Sequence, residues 1–399
     1  MKLGTASLVV AAFVGPGTVL TCATAGIGFG YALAWVLLFA TAATFVLQSF
    51  TAGTGILARK GLGEAMREAI RQPVYRSFVF ALVVLGLWVG TAAFETGNLV
   101  GASAGLETVL GSEQGRPWLL GGLALAAGLV LLLNVRVLTQ LLAGMVGAMS
   151  VLFIATLFIA PVDWREAFRG LVIPSLPPGS LLSVIALIGT TIVTYNLFLH
   201  ATAAKRYWTG EAPERAWRRE LTGMAVFIPA GGVISLAIVM AGATLHPASG
   251  GPPTVAGLAL LLEPVAGSAA RWLFGLGLLA AGFTSAVTAP LAAASGIREI
   301  FDWPDDLRDW RYRAVWLSVL LTGLFFALLD RSPLEIIIAA QAANGLLLPF
   351  IAAFVLYLTY RQKALTLPRW YFGAGVLVTL VCAGLGLRTL WWAWTRLGL

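Results

Sequence analysis

The sequence predicts an all-α membrane protein of about eleven transmembrane helices, and three observations carry that reading. Of 399 residues, 59% are hydrophobic and only 11% are charged, against roughly 25% charged in a soluble domain. Apolar runs of about 20 residues, long enough to cross a bilayer as helices, recur from end to end. Lysine and arginine collect in alternate connections, as in multi-pass helical proteins. Strands are excluded, because an open sheet leaves backbone groups unpaired in lipid and the runs are too long for barrel strands.

The spans fall near 5–27, 30–57, 77–103, 117–134, 137–160, 180–202, 221–243, 270–298, 314–330, 333–360 and 370–394. The whole chain, 1–399, reads as a single membrane domain. Lys2 is followed directly by the first span, without a small-residue cleavage site. Cys22 and Cys382 both lie within spans and read as small core residues.

Polar stretches separate the spans. "RKGLGEAMREAIRQPVYR" (59–76) is charged and helical in period, "KRYWTGEAPERAWRRE" (205–220) is basic, and "DWPDDLRDWRYR" (302–313) carries both signs. "PVDWREAFRG" (161–170) reads as a short amphipathic helix capped by Asp163. "TVAGLALLLEPVAG" (254–267) is apolar but too short to span, which suits an interfacial or re-entrant helix. His246, beside Pro247, reads as a solvated loop histidine.

With Lys2 inside, 19 of the 26 basic residues fall in inside segments. This bias predicts a cytoplasmic N-terminus, an outside C-terminus and a plasma membrane location, with a bacterial inner membrane expected. It also accounts for the net charge of +8, so no nucleic-acid partner is expected. Tryptophans at span ends, such as Trp118, Trp208, Trp272, Trp303 and Trp370, read as interfacial anchors.

Function is sought where the spans depart from plain helix. Gly15-Pro16-Gly17-Thr18 interrupts the first span at mid-depth. Glycine and proline defeat the helical ladder there, and freed backbone groups persist in a membrane only when buried in protein or lining a polar cavity. Thr18 is placed to cap a second half-helix, and a simple proline kink is the alternative. The sixth span has Gly189, Thr190, Thr191, Val193, Thr194, Tyr195 and Asn196 at the same depth, before a helical "NLFLHATAAK". Interrupted helices at the start of two five-helix halves point to an inverted-repeat transporter with its substrate at the breaks. The halves are 1–160 and 180–360, with an extra helix at 370–394. The threonines could instead be helix-packing glue.

The tenth span adds Gln341 and Asn344, one turn apart on one face. Its start, Ser332-Pro333-Leu334-Glu335, is a capping box, so Glu335 reads as a cap and not a ligand. Glu95 is a carboxylate well inside the third span. Burying it costs about 2.5–3.5 kcal/mol on insertion scales, which marks it as a proton carrier or the partner of an arginine such as Arg313. Asn98 follows one turn on. His200 can titrate, or can simply bond a neighbouring carbonyl.

Together these segments resemble the Nramp family of divalent metal transporters, which have the LeuT-type fold. The matching strings are "GPGTVLTCATAGIGFGYALAWVLL" (15–38), "LARKGLGEAMRE" (57–68), "YNLFLHA" (195–201), "AAGFTSAVTAPLAAASG" (280–296) and "QAANGLLLP" (341–349). The resemblance implies ten core helices in two inverted halves plus one, with helices 1 and 6 broken, and a monomer that works alone in the lipid bilayer. In that family the first-helix motif is Asp-Pro-Gly-Asn, whose Asp and Asn bind metal, and the sixth-helix motif is Met-Pro-His. Here the strings are Gly15-Pro16-Gly17-Thr18 and Val193-Thr194-Tyr195. Gln341 resembles the family's ligand on helix 10, Glu95 falls near a family Asp, and Asn98 near a family Glu. The pattern is that of a divergent branch.

Without a soft sulfur, selectivity for manganese or iron loses its basis. A largely hydrated hard ion such as magnesium could still pass, because it sheds water reluctantly. The expected function is therefore Nramp-like secondary transport of a divalent cation by alternating access. The alternative is a same-fold transporter of a small organic or anionic solute, favoured by the positive ends of half-helices after Gly17 and Thr194. The expected substrate-binding residues are Gly15, Thr18, Thr190, Val193, Thr194, Tyr195, Gln341 and Asn344, with Glu95 and His200 as proton-coupling candidates. No metal-ligand set is assigned and no cofactor is expected. A membrane enzyme or sensor has no support from any zinc, paired-carboxylate or nucleophile-elbow pattern.

Overall fold

A computed structural model describes residues 5, 15–112, 115–133, 136–246, 254–329, 332–361 and 368–397. Among these the chain is helical and without strands. In chain order the helices are α1 (Pro16–Phe29), α2 (Ala34–Ile56), α3 (Leu62–Ala69), α4 (Pro73–Leu110), α5 (Arg116–Leu133), α6 (Arg136–Ile159) and α7 (Trp164–Val172). They continue with α8 (Leu181–Thr191), α9 (Thr194–Tyr207), α10 (Pro213–Ala243), α11 (Ala270–Phe301), α12 (Trp310–Ala327), α13 (Pro333–Arg361) and α14 (Arg369–Leu397). Short helical turns between 257 and 269 join α10 to α11.

A helix occupies every predicted span, the first from Pro16 onward; Lys2, Pro247 and Arg331 lie outside the described residues. Seven described segments are long and apolar enough to cross a membrane, or up to eight if the bent pair Gly144–Ile159 and Trp164–Val172, angled at 118°, is one span. The number of crossings is therefore smaller by this measure than eleven. The apolar run in α5 is short, and α1 is seen only from the break onward.

Two boundaries moved for physical reasons. Proline suits the first helical position, where no amide hydrogen is needed. Pro73 starts α4, making it 38 residues long, and Pro213 starts α10. The second half of the basic 205–220 segment is thus the first turns of a spanning helix. Asp163 does cap α7, accepting from the amides of Arg165 and Glu166. Ser332 Oγ accepts from the Glu335 amide at 3.2 Å, and Glu335 itself is exposed. His246 is exposed, and its Nδ1 also lies 2.7 Å from the Ile27 carbonyl at the end of α1.

Small residues set the packing, as expected where lipid tails give helices little hydrophobic reason to associate. Long α4 lies along α11, where a Cβ on Gly105 would meet the Leu279 amide at 2.5 Å and one on Gly282 the Asn98 carbonyl at 2.5 Å. α1 lies on α10 through Gly26 and Gly242, and α8 on α13 through Gly189 and Gly345. These contacts bring the two interrupted segments against each other in the middle of the bundle.

Candidate functional site

At the first predicted break Gly15 is extended, at φ −106° and ψ −175°, and residues 6–14 before it lie outside the described residues. α1 then starts with Pro16 at its first position. The half-helix therefore begins three residues earlier than a Thr18 cap requires. Thr18 sits inside the first turn, and its hydroxyl reaches across to Thr190, Oγ1 to Oγ1, at 2.8 Å.

The second break separates α8 from α9. Ile192 and Val193 leave helical geometry, with Val193 extended at φ −86° and ψ 120°. α9 resumes at Thr194 itself, not after it. Carbonyls at the end of α8 lose their helical partners here, and Asn344 of α13 replaces them. Its Nδ2 donates to the carbonyls of Gly189 at 2.6 Å and Ile192 at 3.2 Å, while its Oδ1 accepts from Thr194 Oγ1 at 2.9 Å. Thr44 of α2 donates to the Thr191 carbonyl at 3.3 Å. Asn344 thus acts as a side-chain replacement for missing backbone, and both its amide hydrogens are committed to the break.

Gln341 comes one turn earlier on α13 and is buried. Its carboxamide lies directly over Gly17, where any Cβ would collide with it, and 3.6 Å from where a Cβ on Gly97 would stand. Its Oε1 has no hydrogen-bond partner, nor does the buried hydroxyl of Tyr195. Tyr195 packs edge-on against Phe94, with ring centroids 5.6 Å apart. Gly15 is closed by Ser285 of α11, whose Oγ is 3.3 Å from a notional Cβ. Thr18, Thr190, Val193, Thr194, Tyr195, Gln341 and Asn344 are each 1% exposed or less, so the breaks are closed to solvent on every side.

One face of α4 forms the wall. Gly90, Phe94, Gly97 and Gly101 recur at helical spacing, and their positions meet Thr194, Tyr195, Gln341 and Pro16 in turn. The sequence reading assigned no role to this stripe, although its glycine spacing was visible. It also missed Ser285 and Thr44, for which residue type alone offers no signal.

The two proton-coupling candidates sit in different surroundings. Glu95 is on the next face of α4, fully buried, with its stem against Gly323 of α12. Its Oε2 accepts from Asn98 Nδ2 at 3.4 Å, and its Oε1 is unpartnered. The pairing with Arg313 is not formed. Arg313 lies ten residues before Gly323, about 15 Å along the helix axis, and donates to the Leu307 carbonyl.

His200 bridges Gln48 Oε1 at 2.8 Å and Glu220 Oε1 at 3.1 Å. Glu220, which the sequence places in a basic connection, is fully buried. Its carboxylate also accepts from the Trp208 indole at 2.6 Å and from the amide and hydroxyl of Thr5 at 3.0 and 2.9 Å. This hub ties α2, α9 and α10 to the segment before the first break.

No group of three His, Cys, Asp or Glu side chains that could hold a metal ion occurs among the described residues. The polar groups at the breaks are hydroxyls and carboxamides, neutral oxygen donors of the kind that suits hard cations or a polar solute.

A many-spanned helical bundle with one span interrupted between α8 and α9, packed against a helix that starts at Pro16, matches the LeuT-type class of membrane transporters. Solved structures of that class share the fold. The manganese transporter of Eremococcus coleocola, in complex with an aromatic bis-isothiourea compound, superposes with a TM-score of 0.78 at 18% identity, covering 97% of this chain and 85% of that one. MhsT in complex with L-phenylalanine superposes at 0.62 and 14% identity, covering 98% of each chain. Within the class, residues 6–392 match the family described as natural resistance-associated macrophage protein-like, and the chain belongs to this Nramp family. Curated relatives include the divalent metal cation transporters MntH of Verminephrobacter eiseniae, 28% identical over 91% of this chain and 82% of that protein, and of Klebsiella pneumoniae, 26% identical over 96% and 92%.

Proposed function

We propose that this protein moves a divalent metal cation across the membrane through the pocket between the two breaks, by alternating access. The observation that supports this is the pair of orphaned groups there, Gln341 Oε1 and the Tyr195 hydroxyl. Buried polar groups are almost always satisfied, so orphans gathered at a break are positions for a ligand. Gly15 and Val193 lie at the same site with their carbonyls accepting from the amides of Val19 and Asn196, and the hydroxyls of Thr18, Thr190 and Thr194 beside them are paired with each other or with Asn344, so a ligand there would share these oxygens with their present partners.

The ion is magnesium-like. A divalent ion stripped of water needs charged ligands to offset its desolvation, and the breaks carry none. Magnesium keeps several waters when bound, and neutral oxygens can hold such a hydrated ion in its second shell. Asn344 acts by keeping the α8–α9 break open. Glu95, a buried carboxylate without a cationic partner, carries the coupling proton, and His200 transmits the change to the Glu220 hub.

In this reading 1–160 and 180–360 are inverted halves and 370–394 is accessory. The N-terminus is cytoplasmic, the C-terminus is outside, the membrane is a bacterial inner membrane, and the monomer is the working unit. A second reading has one observation in its favour: the Phe94–Tyr195 ring pair beside the orphaned hydroxyl suits a small organic solute with an apolar part.

Proteoliposome uptake separates the two readings. Magnesium and manganese influx that falls at least tenfold in Gln341→Ala supports the cation reading. Uptake of neither ion, with saturable uptake of an amino acid or other polar solute, replaces it with the second.

A further inference from the structure

Outside the transport site, the charged end of the bundle holds a clasp built on α3. Glu299 of α11 accepts from the Gly63 amide at 3.3 Å and from Thr202 Oγ1 of α9 at 2.6 Å. Lys205 of α9 reaches Glu64 of α3 at 2.7 Å. Arg67 of α3 donates to the Glu299 carbonyl at 3.1 Å and pairs with Asp302 at 2.7 Å. The clasp therefore joins α3 and α11 to the half-helix that follows the second break.

Against the outer side of the clasp lies a groove of about 470 Å³ between α3, α4 and α11. Its polar head is Arg67, Arg76 and Ser77, and its walls include Phe80, Ile300 and Phe301. The Arg76 guanidinium lies 6.0 Å from the Phe80 ring centroid, and Phe80 packs edge-on to Phe301 at 6.5 Å. No ion pair to Arg76 is found among the described residues. Below the head, α4 turns Phe78, Leu82 and Leu85 outward. That is a face for acyl chains, and the arginines stand where it ends.

We propose that this groove binds one anionic phospholipid, with its phosphate on Arg76 and Arg67 and the start of an acyl chain along Phe80 and Phe301. Three features select this occupant. The groove opens onto the lipid-facing surface of a membrane protein. It presents a cation with no internal counter-charge. The aromatic wall continues directly from the charged head, as a phosphate joined to a hydrocarbon chain requires. Juxtamembrane Lys and Arg are attracted to an anionic leaflet, and a fixed pocket adds bidentate geometry to that general attraction. Because Arg67 also holds α11, an occupied groove stabilises the clasp, and transport depends on the anionic lipid fraction.

The test uses the full chain in nanodiscs of phosphatidylcholine with increasing phosphatidylglycerol. The wild-type melting temperature is expected to rise by several degrees with phosphatidylglycerol, and native mass spectrometry should show one retained molecule of that lipid. Arg76→Gln should keep the melting temperature of the phosphatidylcholine discs while losing most of the rise and the retained lipid; Arg76→Lys should keep part of both. If Arg76→Gln does not fold, Phe80→Leu takes its place under the same criterion. The proposal is overturned by an absent wild-type rise, by an undiminished rise in the variant, or by glycerol 3-phosphate or inorganic phosphate reproducing the shift in phosphatidylcholine discs, which would mean a free-phosphate site.

Discussion

Replacing Asn344 by alanine removes the side chain that stands in for backbone at the α8–α9 break. Three groups lose partners: the carbonyls of Gly189 and Ile192 and the hydroxyl of Thr194. Hydrogen bonds measured within membrane bundles average about 0.6 kcal/mol each, which sets a lower figure near 2 kcal/mol. An orphaned buried group costs about 1–3 kcal/mol, which raises the figure to about 6 kcal/mol if each group bears a mid-range penalty. Asn344 is fully buried, so water reaches the site poorly and the upper part of the range applies. With an unfolding entropy of about 2.1 cal/mol/K per residue, 399 residues give a fall in melting temperature of about 2–7 °C.

Asn344→Asp supplies the sharper comparison. It keeps an acceptor for Thr194 but turns a negative oxygen toward two carbonyls, so it should melt below Asn344→Ala despite being closer in shape. Thermal unfolding in nanodiscs measures both. If Asn344→Ala melts with wild type, or Asn344→Asp is the milder change, the side chain is not holding the break.

Other consequences are as direct. Gly17→Ala should abolish uptake, because its Cβ must displace the Gln341 carboxamide, whereas Gly97→Ala, whose Cβ stands at an ordinary 3.6 Å from Gln341, should retain it; initial uptake rates decide. Glu95→Gln should remove the pH dependence of uptake with little change in melting temperature, measured between pH 5.5 and 8 as order-of-magnitude brackets around neutral. Glu220→Ala leaves the Trp208 indole, the Thr5 amide and the Nε2 of His200 unpaired in a closed interior; a loss of about 3–5 kcal/mol should show as poor expression or early unfolding. Asp309, the half-buried cap of α12, is held down at about 2 by hydrogen bonds from the Arg311 side chain. A lowered carboxylate stabilises above its unfolded pKa and loses that contribution as pH falls through the folded one. The small difference between wild type and Asp309→Asn at pH 7 should therefore shrink below about pH 4, near the unfolded aspartate value, and vanish near pH 2.

The sequence by itself determined the class, the helical segments and both breaks. These depend on local properties: apolar length, the missing amide of Pro16, the missing side chains of Gly15 and Gly17, and β-branched crowding at 190–194. It also marked Gln341 and Asn344, because two carboxamides in an apolar run are conspicuous. Only the tertiary structure decided what each does. Asn344 and Gln341 are one turn apart on the same helix, yet one is consumed by the break and the other leaves an oxygen open. That difference lies in where α8 and α1 pass, and so in the glycine contacts at Gly189, Gly345 and Gly17. Glu95 and Arg313 attract on paper, but helix α12 carries the arginine about three turns away. Glu220 reads as one charge in a basic loop, because burial by Thr5, Trp208 and His200 is a property of three distant segments meeting. Local chemistry sets which backbone can break; long-range packing sets which partners are left for the broken ends.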